Sequence, residues 1–404
     1  MDPRDNAASM SSCFINPFAN HSYFTVRALA ATAPVVVFCP PLQLQFLFHR
    51  WCCSDLSFAR LPLSARFFST VSLFAFLLFR ARLVGHDWYL LVFRFLLLRF
   101  LQQIPFELRF IYYQDYVSDL LAEHYPNALR ICELIIATDP SQPNYRSTLA
   151  AISDSTIVVL PSPSLLNLID QSMPTPFLAP YGGNKIQYQS SAFIASRNRN
   201  FGPPLPHTFI SPRANVIRIV ARSHSYRKGA DIFLRSLELL NQLLVCGTSS
   251  AVVDVYICGS IIEAEMRDEF KRVTNVLRSD SRIRVQARQY QPTNYALLLS
   301  SADLFVMPSR LESTSLAALE ALWFGVPSVL TPQCGVDLFV EDRHGLQLVP
   351  NHPANLAQAI YALSTSSDLR EHCRSCLVED RHLFSWIQYF TSYQEILAPH
   401  MFSC

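Results

Sequence analysis

The sequence predicts an α/β protein of two doubly wound domains facing a cleft, and three observations lead there. The chain has 404 residues, too many for one ordinary core and suited to two of typical size. Short Val- and Ile-rich runs alternate with longer helical stretches, the pattern of mostly parallel sheets covered by helices. Near mid-chain a polar break holding Tyr181-Gly182-Gly183, Gly202-Pro203-Pro204, Pro206 and Pro212 interrupts that alternation, because Gly and Pro stop regular structure.

In the first half, residues 33–39, 110–113, 130–136 and 155–160 read as short buried strands. In the second, strands are expected at 216–221, 252–258, 283–287, 304–307, 328–330 and 346–349. The helices between them are expected at 231–244, 264–277, 294–300, 315–323 and 355–363. Ligands of such a doubly wound sheet bind beyond the carboxyl ends of its strands. Of only ten glycines, Gly229, Gly259, Gly325, Gly335 and Gly345 fall at these element ends, where a tight turn or close backbone approach needs them.

Composition narrows the functions. Half the residues are hydrophobic and 16% are charged, which argues against disorder. A formal net charge of +2, without a basic run interleaved with aromatics, excludes nucleic acid as an expected partner. Eleven scattered cysteines lack the dense spacing of a secreted scaffold and fit reduced thiols in a cytosol. Cys373 and Cys376 form a single CxxC with no second pair to complete a zinc site. Residues 1–20 lack the apolar core and cleavage site of a secretory signal, so the expected location is cytoplasmic, the inner face of a membrane included.

The most apolar region, 61–101, contains no stretch suited to span a bilayer. Its first uncharged run, 67–79, is thirteen residues long, against the ~20 a spanning helix needs. The next, 83–101, carries His86, Asp87, Arg94 and Arg99, each costly at a membrane centre. Between Arg50 and Arg109 eight arginines face Asp55, Asp87 and Glu107. Such a segment suits peripheral contact with an anionic membrane surface, and it equally suits core helices whose arginines snorkel to solvent.

The chemistry-bearing residues lie in the second half. Ser301-Ala302-Asp303-Leu304-Phe305-Val306-Met307-Pro308-Ser309 is followed by Glu312 and Glu320 with seven residues between them, then Ala321 and Gly325-Val326-Pro327. This order and spacing resembles the donor-site signature of glycosyltransferase family 4, the glycosyl transferases group 1, which has the GT-B fold of two Rossmann-like domains. Upstream, Arg222 and Lys228-Gly229-Ala230-Asp231 look like that family's phosphate-binding Arg and Lys-Gly element. Downstream, Cys334-Gly335 and residues 342–350 resemble its later loop and strand. The resemblance covers about 170 residues.

It implies a division into an acceptor-side domain (1–185), a linker (186–213), a nucleotide-sugar-binding domain (214–383) and a terminal helix crossing back to the first domain (384–404). It further implies a retaining transfer of a hexose-type unit from a nucleoside-diphosphate donor to a hydroxyl of a glycan or lipid-linked acceptor, as in polysaccharide biosynthesis. Neither a cofactor nor a metal is expected: no Asp-x-Asp stands between a strand and a loop, and members of the family generally act without one.

Each implied role has a physical reason. Negative charge grows on the diphosphate leaving group as the sugar carbon becomes oxocarbenium-like, so fixed cations stabilise the transition state more than the ground state. Arg222 and Lys228 would supply them, although loop cations also serve merely as surface charge. Glu312 would contact donor-sugar hydroxyls and Glu320 the ribose hydroxyls, since carboxylates accept paired hydrogen bonds from vicinal diols. Glu312 and Lys228 are expected on exposed loop ends. Ser313, Thr314, Ser315 and Leu316 stand at a helix start, where free N–H groups and the positive dipole end hold phosphate. Ser315 occupies a place where the family often has glycine, and Gly259 completes the donor-binding set. In the first half Asp115, Asp119, His124 and Glu133 are the polar candidates, and residues 16–21 stand where the family has a glycine-rich loop. Two other readings remain open at this point, a non-catalytic nucleotide-sugar-binding module and an epimerase acting on the donor itself.

Overall fold

A computed structural model of the chain describes residues 12–15, 35–38, parts of 88–102, 110–113, 118–133, 157–160, 186–188, 216–259, 264–277, 281–288, 297–312, 315–336 and 346–384. Most of the Arg-rich segment, residues 16–21 and 337–345, and Asp115, Ser313 and Thr314 lie outside these. The chain divides into two compact units. One comprises Met1–Leu160, Ser172–Gln189 and Phe390–Cys404, the other Pro161–Gln171 and Ser190–Tyr389.

The first unit carries β1 (Ser12–Ile15), β2 (Val35–Phe38), β3 (Phe110–Tyr113), α1 (Ser118–His124), β4 (Leu129–Glu133), β5 (Ile157–Leu160) and β6 (Ile186–Tyr188). The strands form one sheet in the order β2-β1-β3-β4-β5-β6, every pairing parallel. Ile131 and Cys132 on β4 and Ile157, Val158 and Val159 on β5 are buried, consecutive residues on both faces, as a covered parallel sheet requires. β1 and β6 are not among the strands expected from sequence, and β6 opens the stretch expected as linker. Three or four residues carry no readable period; the register of Ile186 on Val158 is a long-range fact.

The second unit carries β7 (Val216–Ala221), α2 (Ala230–Cys246), β8 (Val252–Cys258), α3 (Ala264–Val276), β9 (Ile283–Arg288), β10 (Leu304–Met307), α4 (Leu316–Trp323), β11 (Ser328–Leu330), β12 (Leu346–Leu348), α5 (Pro353–Thr365) and α6 (Ser367–Glu379). Its sheet runs β12-β11-β10-β7-β8-β9, again all parallel. Along β7, Ile217, Ile219 and Ala221 join a core with Phe233, Leu237, Leu240 and Leu244 of α2 and Ile360 of α5. Val220, pointing the other way, joins Phe305, Met307 and Leu319 of α4 in a second core. The period-two alternation of a strand thus serves two layers of helix. α2 forms because its buried positions 230, 233, 234, 237, 240 and 244 recur at helical spacing. Fully buried Phe233 contributes about 1.5–3 kcal/mol.

From β7 the chain winds outward through β8 and β9, then returns to place β10 on the opposite side of β7. The reversal leaves the loops after β7 and β10 side by side at the carboxyl ends of the two central strands, the switch point where doubly wound sheets bind ligands. Among the described residues no helix is long and apolar enough to cross a membrane.

Candidate functional site

The loop after β7 is shaped by its own polar groups. The Arg222 amide donates to the Val306 carbonyl at 3.1 Å, carrying the pairing of β7 with β10 one residue past the strand. The Lys228 amide donates to Ser225 Oγ at 3.2 Å, and Ser223 Oγ to the Lys228 carbonyl at 3.2 Å. Gly229 then caps α2 with φ +70°, a left-handed conformation that L-residues resist.

The loop after β10 is held from two sides. Ser309 Oγ and the Arg310 amide both donate to the Arg227 carbonyl, at 3.2 Å and 2.9 Å. From the other flank Thr331 Oγ1 donates to the Ser309 carbonyl at 2.6 Å, and the Glu312 amide to the Gln333 carbonyl at 3.0 Å.

These two loops bring Lys228 and Glu312 together: the ammonium donates to Glu312 Oε1. Arg227 Nη2 lies 3.8 Å from the same oxygen, and Ser309 Oγ lies 3.3 Å from it, which makes that oxygen an alternative acceptor for the hydroxyl's one proton. The expectation of exposed loop ends is corrected here. The Lys228 and Glu312 side chains are only 15% and 10% exposed, because each loop covers the other. Burial lowers the Lys228 pKa below 10.5; Glu312 opposes the shift, while Arg227 and Arg222 add to it by repulsion.

Arg222, half-buried, donates through Nη1 to the Cys258 carbonyl at 3.3 Å, so it bridges the ends of β7 and β8. Burial pushes the Cys258 thiol up to about 12 against the pull of this guanidinium. Gly259 follows directly, and a Cβ there would lie 2.2 Å from His224 Nδ1. In this structure the close approach that Gly259 permits is therefore to the His224 ring.

At the start of α4, Ser315 departs from its expected part as a free donor. Its amide donates to the Cys334 carbonyl at 2.8 Å, its hydroxyl accepts from the Ala318 amide at 3.2 Å, and the residue is buried. It is the cap of its own helix. The amides of Leu316 and Ala317, in the first turn, have no carbonyl four residues back within the helix. Glu320 sits one turn beyond Leu316 on the same face and is partly exposed. In the first unit, Asp119 and His124 lie on α1 and Glu133 ends β4. His124 is exposed and makes a local contact, Nδ1 3.1 Å from the Leu120 carbonyl.

Sequence reasoning passed over Arg227 and Arg310, and it quoted Ser309 and Asp231 within the motifs without giving either a role; the fold places all four here. Arg310 pairs with Asp231 through both guanidinium nitrogens, at 2.7 Å each. Burial alone would raise the Asp231 carboxyl, but these bonds prevail and hold it below 3.8. The only local signal was the Arg227-Lys228 dipeptide before a glycine. Among the described residues no group of His, Cys, Asp and Glu could hold a metal ion. The arrangement offers several cations, a carboxylate and a helix start at one end of a sheet, which suits a ligand with phosphate and hydroxyl groups together.

Comparison with known proteins finds its family match within the second unit. Residues 214–366 match the family model described as Glycosyl transferases group 1. A stretch of 108 residues is 30% identical to probable sucrose-phosphate synthase of Vicia faba, covering 26% of this chain and 10% of that relative. Another of 102 residues is 31% identical to D-inositol 3-phosphate glycosyltransferase of Streptomyces bingchenggensis, covering 25% and 22%. The chain thus spans about a tenth to a fifth of the length of these curated relatives. Over 96% of its length it is similar to the crystal structure of Anabaena Alr3699/HepE in complex with UDP and glucose, with a TM-score of 0.60, 15% identity and 100% of that chain covered. The likeness shows the fold, an α/β chain with two Rossmann-like parallel sheets, GT-B, as expected from sequence.

Proposed function

We propose that this chain is a glycosyltransferase of the family 4 kind, which moves a hexose-type unit from a nucleoside-diphosphate donor to a hydroxyl of a glycan or lipid-linked acceptor. The observation that carries the reading is the meeting of Lys228 and Glu312 at the switch point of a doubly wound sheet. The matched family model and the similarity to a protein that holds UDP and glucose support it.

Arg222 and Lys228 bind the diphosphate and stabilise the charge it gains as the bond to the sugar breaks. Glu312 accepts hydrogen bonds from donor-sugar hydroxyls and Glu320 from the ribose. Ser313, Thr314 and Leu316 offer backbone N–H groups to phosphate, Ser315 holds that turn in shape, and Gly259, which makes room for the His224 ring, adds its backbone to the donor-binding set. The reaction retains configuration: the anomeric carbon exchanges its bond to a diphosphate oxygen for one to the acceptor oxygen on the same face, and the acceptor's proton passes to the leaving diphosphate. No metal or other cofactor takes part.

The domain division at 185, 213 and 383 belongs to the same reading, with the acceptor bound by the first domain. A cytoplasmic protein acting on a membrane-borne acceptor accords with the Arg-rich segment and with exposed Trp88, Leu91 and Phe95, aromatic and apolar groups suited to a lipid interface. Co-sedimentation with anionic vesicles at low salt is the expected outcome, and no binding removes the membrane.

A thermal-shift panel of nucleotide sugars followed by a transfer assay tests the reaction. A bound donor at about a hundred times its Kd raises stability by about 2.7 kcal/mol. Binding without turnover would make the chain a donor-binding module, turnover to an epimer without acceptor would make it an epimerase, and no binding by any donor overturns the reading.

A further inference from the structure

Outside the residues assigned to donor binding, one side chain ties the two site loops together. Arg310 Nη1 and Nη2 donate to Asp231 Oδ1 and Oδ2, and Nη1 also donates to the Tyr226 carbonyl at 2.6 Å. The guanidinium carbon lies 3.9 Å from the centre of the Tyr226 ring, and the Arg310 amide donates to the Arg227 carbonyl. Arg310 belongs to the loop after β10. Asp231 lies in the first turn of α2, and Tyr226 and Arg227 precede it. Every one of these contacts crosses between elements about 80 residues apart in sequence.

The chemistry suits a fixed clasp. A guanidinium fork matches a carboxylate with two parallel donors and stacks on an aromatic face, which an ammonium cannot do. Both side chains are mostly covered, Arg310 25% and Asp231 21% exposed, so water competes less than at an open surface pair. Hydrogen bonding to Asp231 makes the Arg310 charge still harder to remove. Arg310 stands two residues before Glu312, and Asp231 three after Lys228. The clasp therefore fixes the spacing of the two groups that the proposed reaction uses, without itself being placed on the donor.

We propose that Arg310, through Asp231 and Tyr226, is a positioning residue that holds Lys228 against Glu312 and so sets the donor site before the donor arrives. The inference rests on the proposed function only for its catalytic consequence; the geometric part stands without it.

The chain has just three lysines, Lys185, Lys228 and Lys271, which makes the test direct. Native protein is treated with a limiting amine acylating reagent and the modification of each lysine is read by mass spectrometry. Lys271, with a side chain 74% exposed, serves as the internal reference, and the melting midpoint monitors the fold. In the wild type Lys228 is acylated far more slowly than Lys271. In Arg310→Gln, and in the milder Asp231→Asn, Lys228 acylation rises toward that of Lys271, while Lys271 itself is unchanged. The double variant adds no further exposure, since both single changes break one unit. With donor, kcat falls on the order of 10²-fold, as a misplacement of about 1 Å can produce.

Unchanged Lys228 acylation in variants that still melt cooperatively overturns the clasp, whatever the protein binds. Increased acylation in a protein whose wild type binds no nucleoside diphosphate sustains the clasp and overturns the glycosyltransferase reading. If Arg310→Gln does not fold, Asp231→Asn decides alone.

Discussion

Gly229 and Pro308 touch across the two loops of the site: a Cβ on Gly229 would lie 1.9 Å from the Pro308 carbonyl oxygen. The contact joins the turn that presents Lys228 to the turn that presents Glu312, and it leaves no room for any other residue at 229.

Gly229→Ala is accordingly expected to separate the loops. The left-handed backbone alone costs an L-residue about 1–2 kcal/mol, and the clash with a carbonyl, which cannot rotate away, takes the loss beyond that. Urea unfolding should show the lower stability. Donor affinity should fall with it, and a variant as stable and as active as the wild type would contradict the packing described.

Removing either partner of the Lys228–Glu312 pair should cost unequal amounts. Glu312→Gln leaves a mostly buried ammonium facing Arg227 and Arg222, whereas Lys228→Met leaves Glu312 with Arg227 at 3.8 Å. Breaking a fully buried pair costs roughly 3–5 kcal/mol, and partial exposure reduces this. Unfolding midpoints should place Glu312→Gln below Lys228→Met, with turnover abolished in both; equal midpoints would show that Arg227 does not share the load.

The pair also carries a pH signature. The folded-state pKa of Lys228 is lowered from 10.5, so the unfolded chain holds that proton more tightly. Stability contributed at this site therefore rises with pH through the window that ends at 10.5, and Lys228→Met should lose that rise. Diphosphate binding to the ammonium should draw in a proton at alkaline pH, measurable by calorimetry in buffers of different ionisation enthalpy. Asp231 acts at the other end: its pKa is depressed below 3.8, so its stabilisation is present above 3.8 and is lost as the pH falls further.

Thiol reactivity should map the sheet. Burial pushes Cys258 up to about 12 and Cys334 to about 11, while Cys246 at the end of α2 is exposed. Because the thiolate is the reacting species, alkylation at pH 8 should mark Cys246 and spare the other two until the protein unfolds. Modification of Cys334 in the folded state would mean that the turn beneath Glu312 opens.

The legible parts of the chain are those whose signal is local. β7, β8, β10 and β11 are Val-, Ile- and Leu-rich runs, and their sequence-predicted limits coincide with the observed ones. α6 escaped because only Cys373 and Leu377 on it are buried, too few to trace a stripe. In the site, Lys228 and Glu312 could be picked out by the resemblance of their motifs to those of a known family, but their burial could not, since it arises where one loop covers another. Nothing in the sequence links Arg310 to Asp231, and the two become a pair only when β10 settles beside β7. The same holds for Ser315, whose capping bond is local but whose amide is taken by Cys334 from a different turn.

That late arrival of β10 has a consequence for how the protein is made. Lys228 and Glu312 are 84 residues apart, and the intervening chain builds β8 and β9 on the far side of β7. A nascent chain that has emerged only through β9 holds a strand with one vacant edge and a cation without its counter-charge. Contacts of this separation slow folding, so the ribosome must release residues well past 312 before the site can exist at all.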